Sequence, residues 1–370
     1  MSKKGINPQD VVDDVNPSPK ILKLQKDNRA LSKKVDELKL NIGENEAFFD
    51  EIKAKLDRIN PLPMQPIMMP KQKKVGSPLS AVMVLGDWHV GEEVDYDEVN
   101  EFNQYNWEIA QKRMHYLVKK TLNWVDVQRA TAQIDELVII CIGDLISGDI
   151  HRELSVTNEF PVPVQVVKAA YLLSHTIASV APHFKKVRVE FITADNHGRK
   201  TVKPQFKQGG FNSESYPLAW MARERVRDFD NVEFNIYAKI KALIQIQGFK
   251  YLCHHGNTIR GWAGIPWYGA DRQVAGESKA RRAMPGHQFH KMIIGHFHQP
   301  LKTMEYIVNG SLSGTTELDH GCGRHANPCQ VVFLVHPTYA DYNWNEFYVH
   351  FGDDEDFKGA EKCFDEDETD

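Results

Sequence analysis

Short apolar, β-branched runs recur along the chain, and each stops abruptly at a polar cluster. The runs at 81–85, 137–142, 187–193, 249–253 and 292–294 are bounded by turn residues and predict buried strands. Between them, residues 107–129 place Ile109, Met114, Leu117, Val118, Leu122 and Val125 at helical spacing. Residues 162–180 and 213–228 repeat that pattern. Strand–helix alternation over this half predicts βαβ units. From Val232 onward short strands dominate, at 232–237, 242–247, 249–254, 303–308 and 330–335. The expected fold class is α/β, and no internal repeat is visible.

The N-terminal region follows a different period. Positions seven apart read Ile21, Asn28, Val35, Ile42, Phe49 and Leu56, with a second set of Leu24, Leu31, Leu38, Asn45, Ile52 and Ile59. Ten of these twelve are apolar, which predicts a coiled-coil helix over 20–59. Val and Ile at a with Leu at d favour a parallel homodimer, with Asn28 pinning register. Gly43 weakens the helix by about 1 kcal/mol, and Lys34 would face Lys39 across the dimer. A single amphipathic helix docking on the enzyme or on another protein is the alternative. Residues 1–19 read as disordered, 60–78 as a Pro/Lys linker, and 79–352 as the catalytic domain. In 353–370 ten acids face only Lys358 and Lys362, an acidic disordered tail by composition.

Composition narrows the class. With 42% hydrophobic and 26% charged residues the chain reads as an ordinary globular protein. No run reaches ~18 consecutive apolar residues, so no membrane partner is expected. The first residues lack the apolar stretch of a signal peptide. Five cysteines without a CxxC pair argue against a disulfide framework or a zinc ribbon, and for a reducing cytoplasm.

The polar clusters carry the chemistry. They are Gly86-Asp87-Trp88-His89, Gly143-Asp144, Asp195-Asn196-His197, His254-His255-Gly256 and Gly295-His296-Phe297-His298. Open α/β sheets place ligands at strand C-termini, where these clusters fall. A lone Asp or His there is usually a turn former or helix cap. Together they offer enough carboxylate, amide and imidazole to hold two divalent ions. Adjacent strand residues point to opposite faces, so either His254 or His255 faces the site, but not both. His151, His287, His290, His320 and His325 read as surface or supporting residues.

In order and wording, these five blocks resemble the calcineurin-like metallophosphoesterases, over about residues 80–337. The resemblance implies a four-layer α-β-β-α sandwich. It implies one metal held by Asp87, His89, Asp144 and His298, and a second held by Asp144 as a bridge with Asn196, His255 and His296. It assigns His255, which precedes Gly256, as the ligand of its pair. His197 would be the catalytic histidine, stabilising the transition state or protonating the leaving group while a metal-bridging hydroxide attacks phosphorus. Mn²⁺ suits the donor set, and Fe, Zn, Ni or Co would also fit. Block two lacks the Asp-Arg-Gly of protein phosphatases, and block three reads Ala194-Asp-Asn-His-Gly-Arg199. Gly143-Asp144-Leu145 is closer to the DNA-repair exonuclease branch, and the long insertions resemble uncharacterised phage-encoded members. The expected activity is phosphodiester hydrolysis on nucleic acid, in a cytoplasm (the host's, for a phage protein). The alternatives are a phosphatase or phosphodiesterase of small nucleotides and, in another class, a coiled-coil scaffold with a vestigial metal domain.

Two segments are expected to set specificity. Residues 257–272 and the following cations read as a loop that interleaves Arg260, Arg272, Arg281 and Arg282 with Trp262, Trp267 and Tyr268. Arginine for phosphate and aromatic rings for bases suit a single-stranded nucleic acid, so Arg199, Arg260, Arg281 and Arg282 are candidate substrate-binding residues. Packed aromatics in a glycine-punctuated loop are the plainer reading. Residues 200–212, with Lys203, Lys207 and Gly209-Gly210, are expected to form a lid or a phosphate-contacting rim.

Overall fold

A computed structural model describes residues 78–260 and 266–353, together with Lys26, Lys33 and Lys34. The chain divides into two units, Met1–Pro61 and Leu62–Asp370. In the first, the three lysines are helical and exposed. The predicted heptads otherwise lie outside the described residues, as do the linker up to residue 77 and the tail from residue 354.

The second unit begins with β1 (Pro78–Leu85), α1 (Trp107–Arg129), β2 (Gln133–Cys141), α2 (Leu154–Thr157) and α3 (Val162–Val180). It continues through β3 (Lys186–Ile192), α4 (Ser215–Arg225), β4 (Val232–Tyr237), β5 (Ala242–Ile246) and β6 (Phe249–Cys253). The last third holds α5 (Pro266–Arg282), β7 (Lys291–Ile294), β8 (Leu301–Lys302), β9 (Tyr306–Val308), α6 (Glu317–Gly321), β10 (Cys329–His336) and β11 (Tyr339–Tyr348). A six-stranded sheet is ordered β11-β10-β1-β2-β3-β4 and a five-stranded sheet β5-β6-β7-β9-β8. Both are mixed. Strands β1 to β4 run parallel out to the β4 edge, as do β6, β7 and β9, while β10 and β11 on the large sheet and β5 and β8 on the small one pair antiparallel.

The period-two alternation of β1 explains the layering. Val82 and Val84 face a core shared with Ile244, Tyr251, Ile293 and Phe333, which packs the two sheets together. Ala81, Met83 and Leu85 face the opposite core, covered by Met114 and Leu117 of α1, Leu173 and Ile177 of α3, and Leu218 of α4. Ala270 and Val274 of α5 cover the outer face of the small sheet over Met292 and Tyr306. Helix, sheet, sheet and helix follow in turn. The segment Val162–His183 is long and apolar enough to cross a membrane, yet two thirds of its most apolar stretch is buried.

Two elements depart from the sequence reading. Residues 266–282 form a helix where a loop was expected. Glycines at 269 and 276 mask its periodicity, and Gly269 is there for packing: a Cβ would lie 2.2 Å from the Arg260 carbonyl oxygen. Strand β11 carries polar residues through its length because it is a half-exposed sheet edge, so its apolar alternation is faint.

Parallel register brings the strand ends onto one rim. Leu85 pairs with Cys141 and Cys141 with Phe191; on the small sheet Cys253 pairs with Ile293. Within the small sheet the Gly295 N–H donates to the His255 carbonyl (2.8 Å), and the two rims are joined where the His296 N–H donates to Asp87 Oδ1 (2.9 Å).

Candidate metal centre

Five of the seven candidate ligands hold a left-handed backbone: Asp87 (φ 53°), His89 (51°), Asp144 (50°), His296 (72°) and His298 (60°). Each such conformation costs a non-glycine residue on the order of 1–3 kcal/mol, and survives only where its surroundings enforce it. Here the turns after β1 and β2 bind one another. The Asp87 N–H donates to Gly143 O (3.1 Å), and the Trp88 and His89 N–H groups both donate to Asp144 O (2.8 and 3.1 Å). Two glycines make the approach possible. A Cβ on Gly143 (φ 106°) would lie 2.6 Å from the Asp195 Cβ, and one on Gly295 would lie 2.3 Å from Asp87 Oδ2.

These turns gather the side chains into three overlapping groups, Asp87–His89–His298, His89–Asp144–His197 and Asp144–His255–His296. Asp144 belongs to two of them. Its Oδ2 lies 2.8 Å from His255 Nε2 and 3.9 Å from His197 Nε2. Its Oδ1 accepts the His197 N–H at 3.0 Å. His89 Nε2 and His298 Nε2 face each other at 3.1 Å, and Asp87 Oδ1 lies 3.7 Å from His298 Nε2.

The ring tautomers follow from their outer partners. The carbonyls of Ser147 and Ile142 can only accept, so His197 Nδ1 (2.5 Å) and His255 Nδ1 (3.1 Å) carry protons. His298 Nδ1 donates to Asp319 Oδ2 at 3.0 Å. Each ring is thereby left presenting Nε2 to the centre. His254, by contrast, puts its Nε2 3.4 Å from the Met292 sulfur, away from this group.

Electrostatics divide the same residues. Burial pushes the Asp87 carboxyl up to about 6, against the pull of His255 and His298. Burial also opposes ionisation of Asp144, yet His255 and His197 hold its carboxyl well below the ordinary range. At His255 burial disfavours the charge, but Asp144 raises the imidazole to about 9. At His298 burial is again overcome, by the Asp319 hydrogen bond and charge, and the ring rises to about 9. Burial, reinforced by neighbouring rings, lowers His296 to about 3 and drives His89 well down. The centre is a set of closely packed groups competing for few protons.

A divalent cation fits this set. Asp87 Oδ2 and Asn196 Oδ1 are buried without a hydrogen-bond partner, and two imidazole nitrogens at 3.1 Å cannot both carry a proton. A cation supplies what the unpartnered oxygens and the facing nitrogens lack. Oxygen and imidazole donors without thiolate suit Mn, Fe, Co, Ni or Zn.

No protein-family model and no curated protein matches the sequence. Among solved structures, the chain is similar to Vps29 of Entamoeba histolytica complexed with Zn²⁺: 14% identity, TM-score 0.27, covering 70% of this chain and 87% of that one. Vacuolar protein sorting 29 of Cryptosporidium parvum gives 13% identity and a TM-score of 0.30, over 70% and 86%. A conserved, predicted phosphoesterase of Streptococcus pneumoniae gives 11% and 0.26, over 73% and 97%. At these identities and scores the likeness assigns no residue and no activity.

Of the candidate substrate residues, Arg199 sits nearest the centre. It lines a small open pocket with Asp195, Gln205, Asn212, Asn257 and Thr258, and its guanidinium is tied to Thr201 O and Val202 O. Arg260 is exposed beyond Ile259. Arg281 is bound within α5 to Glu277 at 2.9 Å, and Arg282 is exposed beside it at the end of that helix.

Three carboxylates were given no role by the sequence reading, which named Asp195 only as part of its cluster. Asp195 accepts from the Asp144 N–H (3.1 Å), the Gly198 N–H (2.9 Å) and the Ser215 hydroxyl (2.5 Å), fixing the turn that carries Asn196 and His197. Glu92, raised to about 8 by burial, lies 3.8 Å from the unpartnered His89 Nδ1. Asp319 is held by the Thr316 cap and by Arg324. The one local signal for Asp319 is the spacing Thr316-x-x-Asp319. Outer partners of this kind set ligand basicity, so Asp319→Ala is expected to weaken metal affinity about 10–100-fold. Isothermal titration with Mn²⁺ reads the change directly.

Proposed function

We propose that this chain is a phosphoesterase dependent on two divalent ions, acting on phosphodiesters of nucleic acid, of the calcineurin-like metallophosphoesterase type. The observation that carries the reading is the shared position of Asp144, between the His89 side and the His255 side of one buried centre. Asp87, His89, Asp144 and His298 would hold one ion, and Asp144, Asn196, His255 and His296 the other. When bound, such a pair lowers the pKa of water and neutralises phosphate charge.

The chain's own groups do the rest. Asp319 and the Ile142 carbonyl fix the orientation of His298 and His255. The Ser147 carbonyl holds the proton on Nδ1 of His197, so Nε2 is the atom that meets the substrate. As the imidazolium, with a second proton on Nε2, it can donate to a phosphoryl oxygen or pass that proton to the leaving oxygen. Its backbone N–H donates to Asp144 Oδ1, which anchors the main chain of His197 beside the carboxylate that both ions would share. Nothing in this arrangement calls for a covalent enzyme intermediate.

His197→Ala is expected to lower kcat by about 10²–10⁴-fold while leaving metal content unchanged. The test uses labelled single- and double-stranded DNA with Mn²⁺, the variant serving as control. Cleavage lost in the variant supports the reading. Turnover of small esters or nucleotides alone would move the substrate to that class.

A further inference from the structure

We propose that the loop 198–213 and helix α4 form a track for single-stranded nucleic acid that starts at His197; the proposal rests on the nucleic-acid reading of the metal centre. The loop leaves the centre directly after the catalytic histidine and closes at its own base. Arg199 bridges to Ser213, and the Glu214 N–H donates to the Gly198 carbonyl at 2.7 Å. The base of the loop is thus anchored next to His197.

Charge and aromatic rings together select the occupant. Between 198 and 213 the sequence holds Arg199, Lys200, Lys203 and Lys207 and no acid. Lys200 is spent on Glu214 at 3.2 Å, while Lys203 and Lys207 are exposed. A row of rings continues from the loop onto α4. Phe211 and Tyr216 have centroids 5.3 Å apart, Tyr216 and Trp220 6.3 Å apart, and the Arg223 guanidinium lies 3.6 Å over the Trp220 ring. Phe211 is 60% exposed and Trp220 38% exposed, so neither is filling a core. Cations beside successive exposed rings bind unstacked bases and their phosphates whatever the sequence. A duplex keeps its base faces stacked and offers these rings nothing.

The test reads binding and chemistry separately on the full chain. Anisotropy of a fluorescein-labelled oligothymidine, measured in EDTA, reports the track; hydrolysis of bis-p-nitrophenyl phosphate with Mn²⁺ reports the centre. The double variant Phe211→Ala, Trp220→Ala is expected to lose roughly tenfold or more in oligonucleotide affinity with ester hydrolysis unchanged. Lys203→Gln with Lys207→Gln should reduce the slope of log affinity against log salt by about 1.4, two single-strand phosphate contacts. Both ring positions are exposed, so matching melting curves will confirm the fold. Undiminished oligonucleotide affinity in the ring variant overturns the track, whether or not its oligomeric mass changes. A wild-type chain that hydrolyses the ester but binds no oligonucleotide overturns the nucleic-acid reading as well.

Discussion

Asp144→Asn is expected to lower kcat for phosphodiester hydrolysis about 10³-fold, with fewer ions retained per chain. Asp144 belongs to two of the three groups that make up the centre. Its Oδ2 reaches His255 at 2.8 Å and its Oδ1 fixes the His197 backbone at 3.0 Å. Asparagine keeps the shape but removes the charge that both ions would share. Lewis-acid stabilisation worth several kcal/mol, about 4 at tenfold per 1.36, gives that factor. Steady-state kinetics on bis-p-nitrophenyl phosphate, paired with metal analysis of the dialysed protein, checks both halves. Loss of rate with full metal content would mean that Asp144 acts on the substrate rather than through the ions.

The second large effect is on metal uptake. In the metal-free chain the raised His255 and His298, both near 9, are protonated at neutral pH. A cation binds the neutral imidazole, so two protons must leave. The sign follows: each ion displaces one of these protons, so its affinity falls as pH drops below about 9 by up to about tenfold per pH unit, and uptake of the pair by up to about 100-fold. Below about 6 the Asp87 carboxyl adds a third competitor. Mn²⁺ titrations at pH 8 and pH 7 in buffers of differing ionisation enthalpy measure both the affinity change and the proton count. A pH-independent affinity would show that these two rings are not ligands.

Much of this centre was legible in the sequence because strand chemistry stops so sharply. Runs such as Leu137-Val-Ile-Ile-Cys-Ile142 leave no reason for Gly143-Asp144 except a turn at the sheet's rim, where the structure puts it. The alternation of strand faces also frames His254 and His255: the first meets the Met292 sulfur, the second meets Asp144. What the sequence hides is what long-range packing supplies. Asp319 reaches His298 from α6, 21 residues on, and only its capping spacing from Thr316 marks it locally. The aromatic row of α4 is scattered through a weakly amphipathic segment, so its exposure is visible only in three dimensions. Helix α5 was obscured by two glycines, of which Gly269 permits close contact with the Arg260 carbonyl.

The central claim is that one buried centre holds two ions through Asp144 and hydrolyses phosphodiesters. The most direct measurement is the rate of bis-p-nitrophenyl phosphate hydrolysis by metal-stripped full-length chain as Mn²⁺ is added equivalent by equivalent. The account predicts little turnover after the first equivalent and a rise to plateau at the second. A chain that takes up no metal and hydrolyses nothing at any ratio would contradict it, and would leave the α/β unit as a scaffold.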